Sequence, residues 1–214
     1  MNYKAYNLVF GIMTLVLFLI IKQPMLIIIS ILLILTYFQD FFHKINEKIS
    51  VPVLIKTIFL TIIIGIVTEL LAIWNNRGKT IEHIIETNQL FSPDPILNMI
   101  IAMKYYIPLA IIWFFLLKKY SYKTKDIFII MGINGILFEG AMRVFLSFNI
   151  LLWIYAFLVH ASYFTIVYII LKKENIFNIV KTKISIFKKY LISLLYLLII
   201  PIISIILEII KKVF

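Results

Sequence analysis

Glu139 and Arg143 stand four residues apart in the run Gly-Ile-Asn-Gly-Ile-Leu-Phe-Glu-Gly-Ala-Met-Arg, residues 132–143, within a stretch otherwise apolar enough to cross a membrane. A charged side chain at mid-bilayer costs roughly 3 kcal/mol or more, so such residues mark functional sites by default. With Gly132 as zero on a helical wheel, Gly135, Glu139 and Arg143 all fall within about 60° of it, on one face. The i,i+4 spacing also lets the two charges pair, which would make them a packing clamp.

Three further ionisable residues interrupt apolar runs. Glu69 shares a helical face with Thr61, Gly65 and Ala72; small residues let a neighbouring helix approach, and a Glu among them points into the bundle. Lys104 comes just before Tyr105, Tyr106 and Pro108, and either snorkels to the interface or meets a carboxylate. His160 lies on a face with Trp153, Ala156 and Tyr163, and histidine is the side chain suited to exchanging protons near neutrality. At 1.5 Å rise per residue, the distances from the outer ends of their spans are about 8 Å for Glu69 and Arg143, 13 Å for Lys104, 14 Å for Glu139 and 16 Å for His160. The shared depth predicts one outward-facing polar pocket, in which two Glu nearly balance Lys and Arg.

The chemistry these groups suit is acid/base catalysis on a lipid or isoprenoid-type substrate. Glu139 and Glu69 would exchange protons with the substrate and His160 would shuttle them, while Arg143, Lys104, Tyr105 and Tyr163 would hold an anionic or polar headgroup. The same groups would equally serve a transporter or channel component for a small solute or protons, or brace a structural membrane subunit. No cofactor and no metal is called for. Glu82, His83 and Glu86 lie on the amphipathic 75–94 connection, which Thr80 would cap, but they match no ligand spacing. A Gly-rich phosphate loop and a rhomboid-like Ser, His and Asp set are both lacking.

The elements that must position these residues are membrane spans. The chain is 63% hydrophobic with a mean hydropathy of +1.06, far above the roughly 45–50% apolar content of soluble domains. About 20 apolar residues cross a bilayer, which predicts an all-α, polytopic transmembrane bundle of about seven spans: 7–21, 25–42, 51–74, 95–117, 127–148, 149–171 and 191–210. These make a single integral membrane domain, 1–214, with no cysteine for disulfide or thiolate chemistry. Asp94-Pro95 is a strong helix start, Pro108 and Pro201 are mid-span, and a turn at Lys22-Gln23-Pro24 keeps 7–21 as a retained span.

The net charge of +11 comes from lysines in alternate connections: Lys4, Lys44, Lys48, then Lys118, Lys119, Lys123 and Lys125, then Lys172, Lys173, Lys181, Lys183, Lys188 and Lys189. The positive-inside rule places that side, with the N-terminus, in the cytoplasm of a multi-pass cell-membrane protein. Residues 172–190 read as an interfacial helix on anionic lipids of the cytoplasmic face, and His43 as a solvated connection residue. The expected partners are therefore the lipid bilayer and a lipid or small-molecule ligand, with no nucleic acid, because no basic soluble domain is present to track phosphates.

Overall fold

A computed structural model describes residues 3–76, 94–138, 143–177 and 181–202. Its elements are α1 (Tyr3–Ile21), α2 (Met25–Tyr37), α3 (Gln39–Lys48), α4 (Val53–Asn75), α5 (Pro95–Lys119), α6 (Thr124–Phe138), α7 (Arg143–Leu146), α8 (Ile150–Leu171) and α9 (Ile186–Leu197), with a 3₁₀ turn at Asn175–Phe177. The fold is all-helical, and among the described residues four helices are long and apolar enough to cross a membrane: α1, α4, α5 and α8. The α2–α3 pair would make a fifth, but it bends by 80° at its break.

That bend divides the stretch expected as the span 25–42 near Phe38. Helix α2 closes at Tyr37, with Phe38 out of helical geometry, and α3 turns across the end of the bundle. Amphipathic α3 buries Gln39, His43 and Asn46 while Asp40, Lys44, Glu47 and Lys48 stay exposed. His43 is therefore not solvated: it is 2% exposed, and its Nδ1 lies 3.0 Å from the Ile170 carbonyl of α8. Burial pushes the imidazole below its ordinary range, outweighing the favourable carbonyl contact.

Local sequence explains several ends. Asp94 accepts from Leu97 N–H at 2.8 Å with Pro95 in the first turn, so α5 begins where the sequence predicts. Pro108 lies within its single 25-residue helix. Helix α9 closes at Leu197, four residues before Pro201, whose ring nitrogen has no hydrogen to give that carbonyl.

Helix α8 is the axis of the packing, with α2, α3, α4 and α6 against it. Trp113 of α5 stacks on Phe164 of α8 at 5.2 Å between ring centroids, and its indole N–H reaches Met131 Sδ of α6 at 3.1 Å. Helices α6 and α8 pack against each other. Asn149 caps α8 by accepting from Leu152 N–H, and Phe148 takes a positive φ of 50° in the turn.

One end of the bundle gathers most of the lysines. Asp40 bridges Lys4 at 2.7 Å and Lys173 at 3.1 Å, and these contacts hold its carboxyl down at about 2. Lys56, buried in the first turn of α4, meets Glu174 at 2.7 Å. Lys189 of α9 meets Asp126 of α6 at 2.6 Å, and Tyr190 donates to the other Asp126 oxygen at 3.0 Å.

Residues 172–190 are accordingly not one interfacial helix. The described residues among them, 172–177 and 181–190, form the 3₁₀ turn, a non-helical piece and the start of α9, and Lys172, Lys181 and Lys189 turn inward to oxygen partners that a lipid-facing helix would not supply.

Candidate functional site

The Thr61, Gly65 and Glu69 face of α4 is buried against α5, as its small residues predict. Gly65 has a specific job there. A Cβ on it would sit 2.7 Å from the Tyr106 ring, so only glycine lets that ring lie against the α4 backbone. Seated this way, Tyr106 donates its hydroxyl to Glu69 Oε1 at 2.9 Å, and Asn98 donates its amide to Oε2 at 2.7 Å. Asn98, Ala102 and Tyr106 repeat every four residues on one stripe of α5, and all three are buried. Glu69 itself is 8% exposed. A carboxylate out of water needs such donors, because an unsatisfied one carries its full desolvation penalty.

A second polar group lies beside the first. The Tyr105 hydroxyl accepts from Asn134 of α6 at 3.0 Å and from the Tyr163 hydroxyl of α8 at 2.9 Å. Tyr163 Oη lies 3.4 Å from His160 Nδ1. The Tyr106 ring meets the Tyr105 ring edge-on at 5.6 Å and the Tyr163 ring at 5.8 Å, joining the two groups through aromatic contacts.

Glycines also set the α6–α8 contact. A Cβ at Gly135 would lie 2.7 Å from both the Ala156 carbonyl oxygen and His160 Cβ, and one at Gly132 would overlap the Phe157 ring. The face bearing Gly132 and Gly135 is thus the one turned to α8, and Gly135 is the seat of His160.

Of the residues singled out from the sequence, the structure brings Glu69, Tyr105, Tyr163 and His160 into one neighbourhood. Lys104 is not among them: it is exposed, and it lies about 120° around α5 from Asn98. Glu139, the Arg143 side chain and the Glu82, His83 and Glu86 set lie outside the described residues. Asn98, Tyr106 and Asn134 are additions. A neutral amide or phenol does not register as a charge in an apolar run, yet the shared face of Asn98 and Tyr106 was a usable signal. Among the described residues, no three carboxylate or imidazole groups converge as metal ligands do.

The arrangement can hold a proton on or near Glu69 and pass one along the Tyr105, Tyr163 and His160 series. Comparison with protein-family models, with curated proteins and with solved structures found no match.

Proposed function

We propose that this chain is a multi-pass membrane enzyme that performs acid/base chemistry on a lipid or isoprenoid-type substrate, with Glu69 as the proton-exchanging carboxylate. The observation that carries this reading is the buried Glu69 accepting from Asn98 and Tyr106, next to a second hydrogen-bonded group that includes His160. Asn98 and Tyr106 fix the direction of the carboxylate inside the bundle, where a buried acid or base meets a substrate proton away from bulk water. Glu139 joins it as a second acid or base, and Arg143 holds the substrate's anionic part. Tyr105 and Tyr163 orient the substrate's polar atoms, and His160 relays the proton.

The test is turnover in membranes carrying the wild type, Glu69→Gln or Glu139→Gln, followed by mass spectrometry of extracted lipids. Loss of a product with Glu69→Gln, in protein that still inserts, supports the reading. A lipid profile unchanged by both substitutions removes it, leaving the structural-subunit role. The hydrogen-bonded Tyr105, Tyr163 and His160 series favours a second reading, proton or solute transfer, for which liposome flux abolished by His160→Phe is the sign.

In this reading the chain crosses the cell membrane seven times, with its N-terminus in the cytoplasm. The lysine-rich end that gathers Lys4, Lys56, Lys173 and Lys189 supports that orientation. Because the chain has no cysteine, single Lys44→Cys and Lys22→Cys variants report sidedness cleanly. Impermeant maleimide should label Cys at 22 from outside intact cells and leave Cys at 44 unlabelled.

A further inference from the structure

A cleft of about 320 Å³ opens at the lysine-rich end, lined by Ser121, Lys181, Thr182, Lys183, Ile184 and Lys189. Its floor is built from the seam where the extended segment after the 3₁₀ turn crosses the end of α5. Thr182 N–H bonds to the Lys119 carbonyl at 3.2 Å, and the Lys181 ammonium caps the Leu117 and Tyr120 carbonyls. The charges of the cleft are not balanced. Lys189 is matched by Asp126, but neither Lys181 nor Lys183 has a carboxylate partner among the described residues. Lys181 is moreover partly buried, and desolvation holds its ammonium below the ordinary lysine range. A negative charge in the cleft would relieve that imbalance.

The setting points to one kind of anion. Lys118, Lys119, Lys123, Lys125 and Lys188 stand exposed on the surrounding segments, so cations are in excess around the cleft. Directly after the cleft residues, Ile186 and Phe187 present their side chains 67% and 76% exposed at the start of α9. Exposed apolar side chains beside a cationic cleft suit the depth where headgroups meet acyl chains, and not open water. The Ser121 and Thr182 side chains supply hydroxyls among the cleft-lining residues, and hydroxyls can donate to phosphate oxygens. The volume is roughly ten times the 30 Å³ share of one water, room for a phosphate group with part of its glycerol.

We infer that the cleft bounded by Lys181, Lys183 and Thr182 binds the phosphate of an anionic phospholipid headgroup, with Ile186 and Phe187 set among its acyl chains. Lys181 and Lys183 supply the charge, Ser121 and Thr182 the neutral hydrogen bonds, and Lys189 remains with Asp126. The site sits at the end of the bundle that gathers Lys189 and Asp126, and it stands or falls independently of the Glu69 chemistry.

The experiment uses the full chain purified in detergent and titrated with phosphatidylglycerol or phosphatidylcholine, with bound lipid counted by native mass spectrometry. Phosphatidylglycerol should bind with one preferred stoichiometry and phosphatidylcholine should not. Lys183→Met, at an exposed position with no bonded partner among the described residues, should weaken binding about fivefold, the equivalent of ~1 kcal/mol per lysine. Thr182→Val should weaken it in the same direction, and Lys118→Met, outside the cleft, should change it less than about twofold. Equal binding of the two lipids, or equal losses from Lys183→Met and Lys118→Met, overturns the site in favour of diffuse surface attraction. Displacement of phosphatidylglycerol by millimolar inorganic phosphate overturns the lipid assignment and makes the cleft a soluble-phosphate site.

Discussion

Tyr106 reaches Glu69 across the gap between two helices, its hydroxyl 2.9 Å from Oε1, because Gly65 one turn earlier on α4 leaves room for its ring. Replacing Tyr106 by Phe keeps the ring and deletes the donor. We expect a loss of about 1–3 kcal/mol, read as a lower melting temperature in detergent micelles. In the double variant with Glu69→Gln the two losses should not add, because an amide tolerates the missing donor better than a carboxylate does. Strict additivity would mean the pair does not interact.

Gly135 and Gly11 give a contrast in packing. A methyl at Gly135 would meet the Ala156 carbonyl oxygen at 2.7 Å, a backbone atom that cannot step aside, whereas at Gly11 it would meet the Ile34 side chain at 2.8 Å. Gly135→Ala should therefore cost about 1–3 kcal/mol and Gly11→Ala distinctly less. Thermal unfolding of the two variants side by side decides it, and an equal or reversed order would count against the α6–α8 contact.

His43 predicts a pH dependence whose sign follows from burial. Its folded-state value is lowered, so the unfolded chain takes up the proton first as pH falls. The stability it contributes is complete above about pH 6.5 and declines below that value until the folded imidazole itself titrates. Asp40, Lys172 and Lys173 face it, the lysines reinforcing burial and the carboxylate opposing it. Melting temperature should drop between about pH 7.5 and 5.5 in the wild type and much less in His43→Gln.

How much of this was legible beforehand differs by residue. The α5 start at Asp94-Pro95 and the small-residue face carrying Glu69 follow from local rules, since capping and helical period act over a few residues. The fate of His43 does not. Residues 39–48 have the polar content of a connection, and only the Ile170 carbonyl, 127 positions away, makes His43 an interior residue. Tyr106 and Asn98 share a face that helical period makes visible, but what makes them important is a carboxylate on another helix.

Asp126 gives the complementary acid response. Burial works to raise its value, but the Lys123 backbone N–H and the Lys189 ammonium outweigh it, and the net position lies below the ordinary range. Its contribution is present above about pH 4 and is lost as pH falls through the lowered value. Asp126→Asn should remove that acid step and, by stranding the buried Lys189, cost on the order of 3 kcal/mol at neutral pH. Adding Lys189→Met should recover part of the loss in the same unfolding assay.

The 80° turn into α3 has a consequence for synthesis. Asn46 and Lys56 find their Glu174 partner 128 and 118 residues later, and His43 finds the Ile170 carbonyl 127 residues later. As the chain leaves the ribosome, α1 to α4 are made long before the end of α8 that these groups require. The nascent protein therefore carries His43, Asn46 and Lys56 without these contacts until residues 170–174 arrive, and truncation before Ile170 should yield a product that proteases clear.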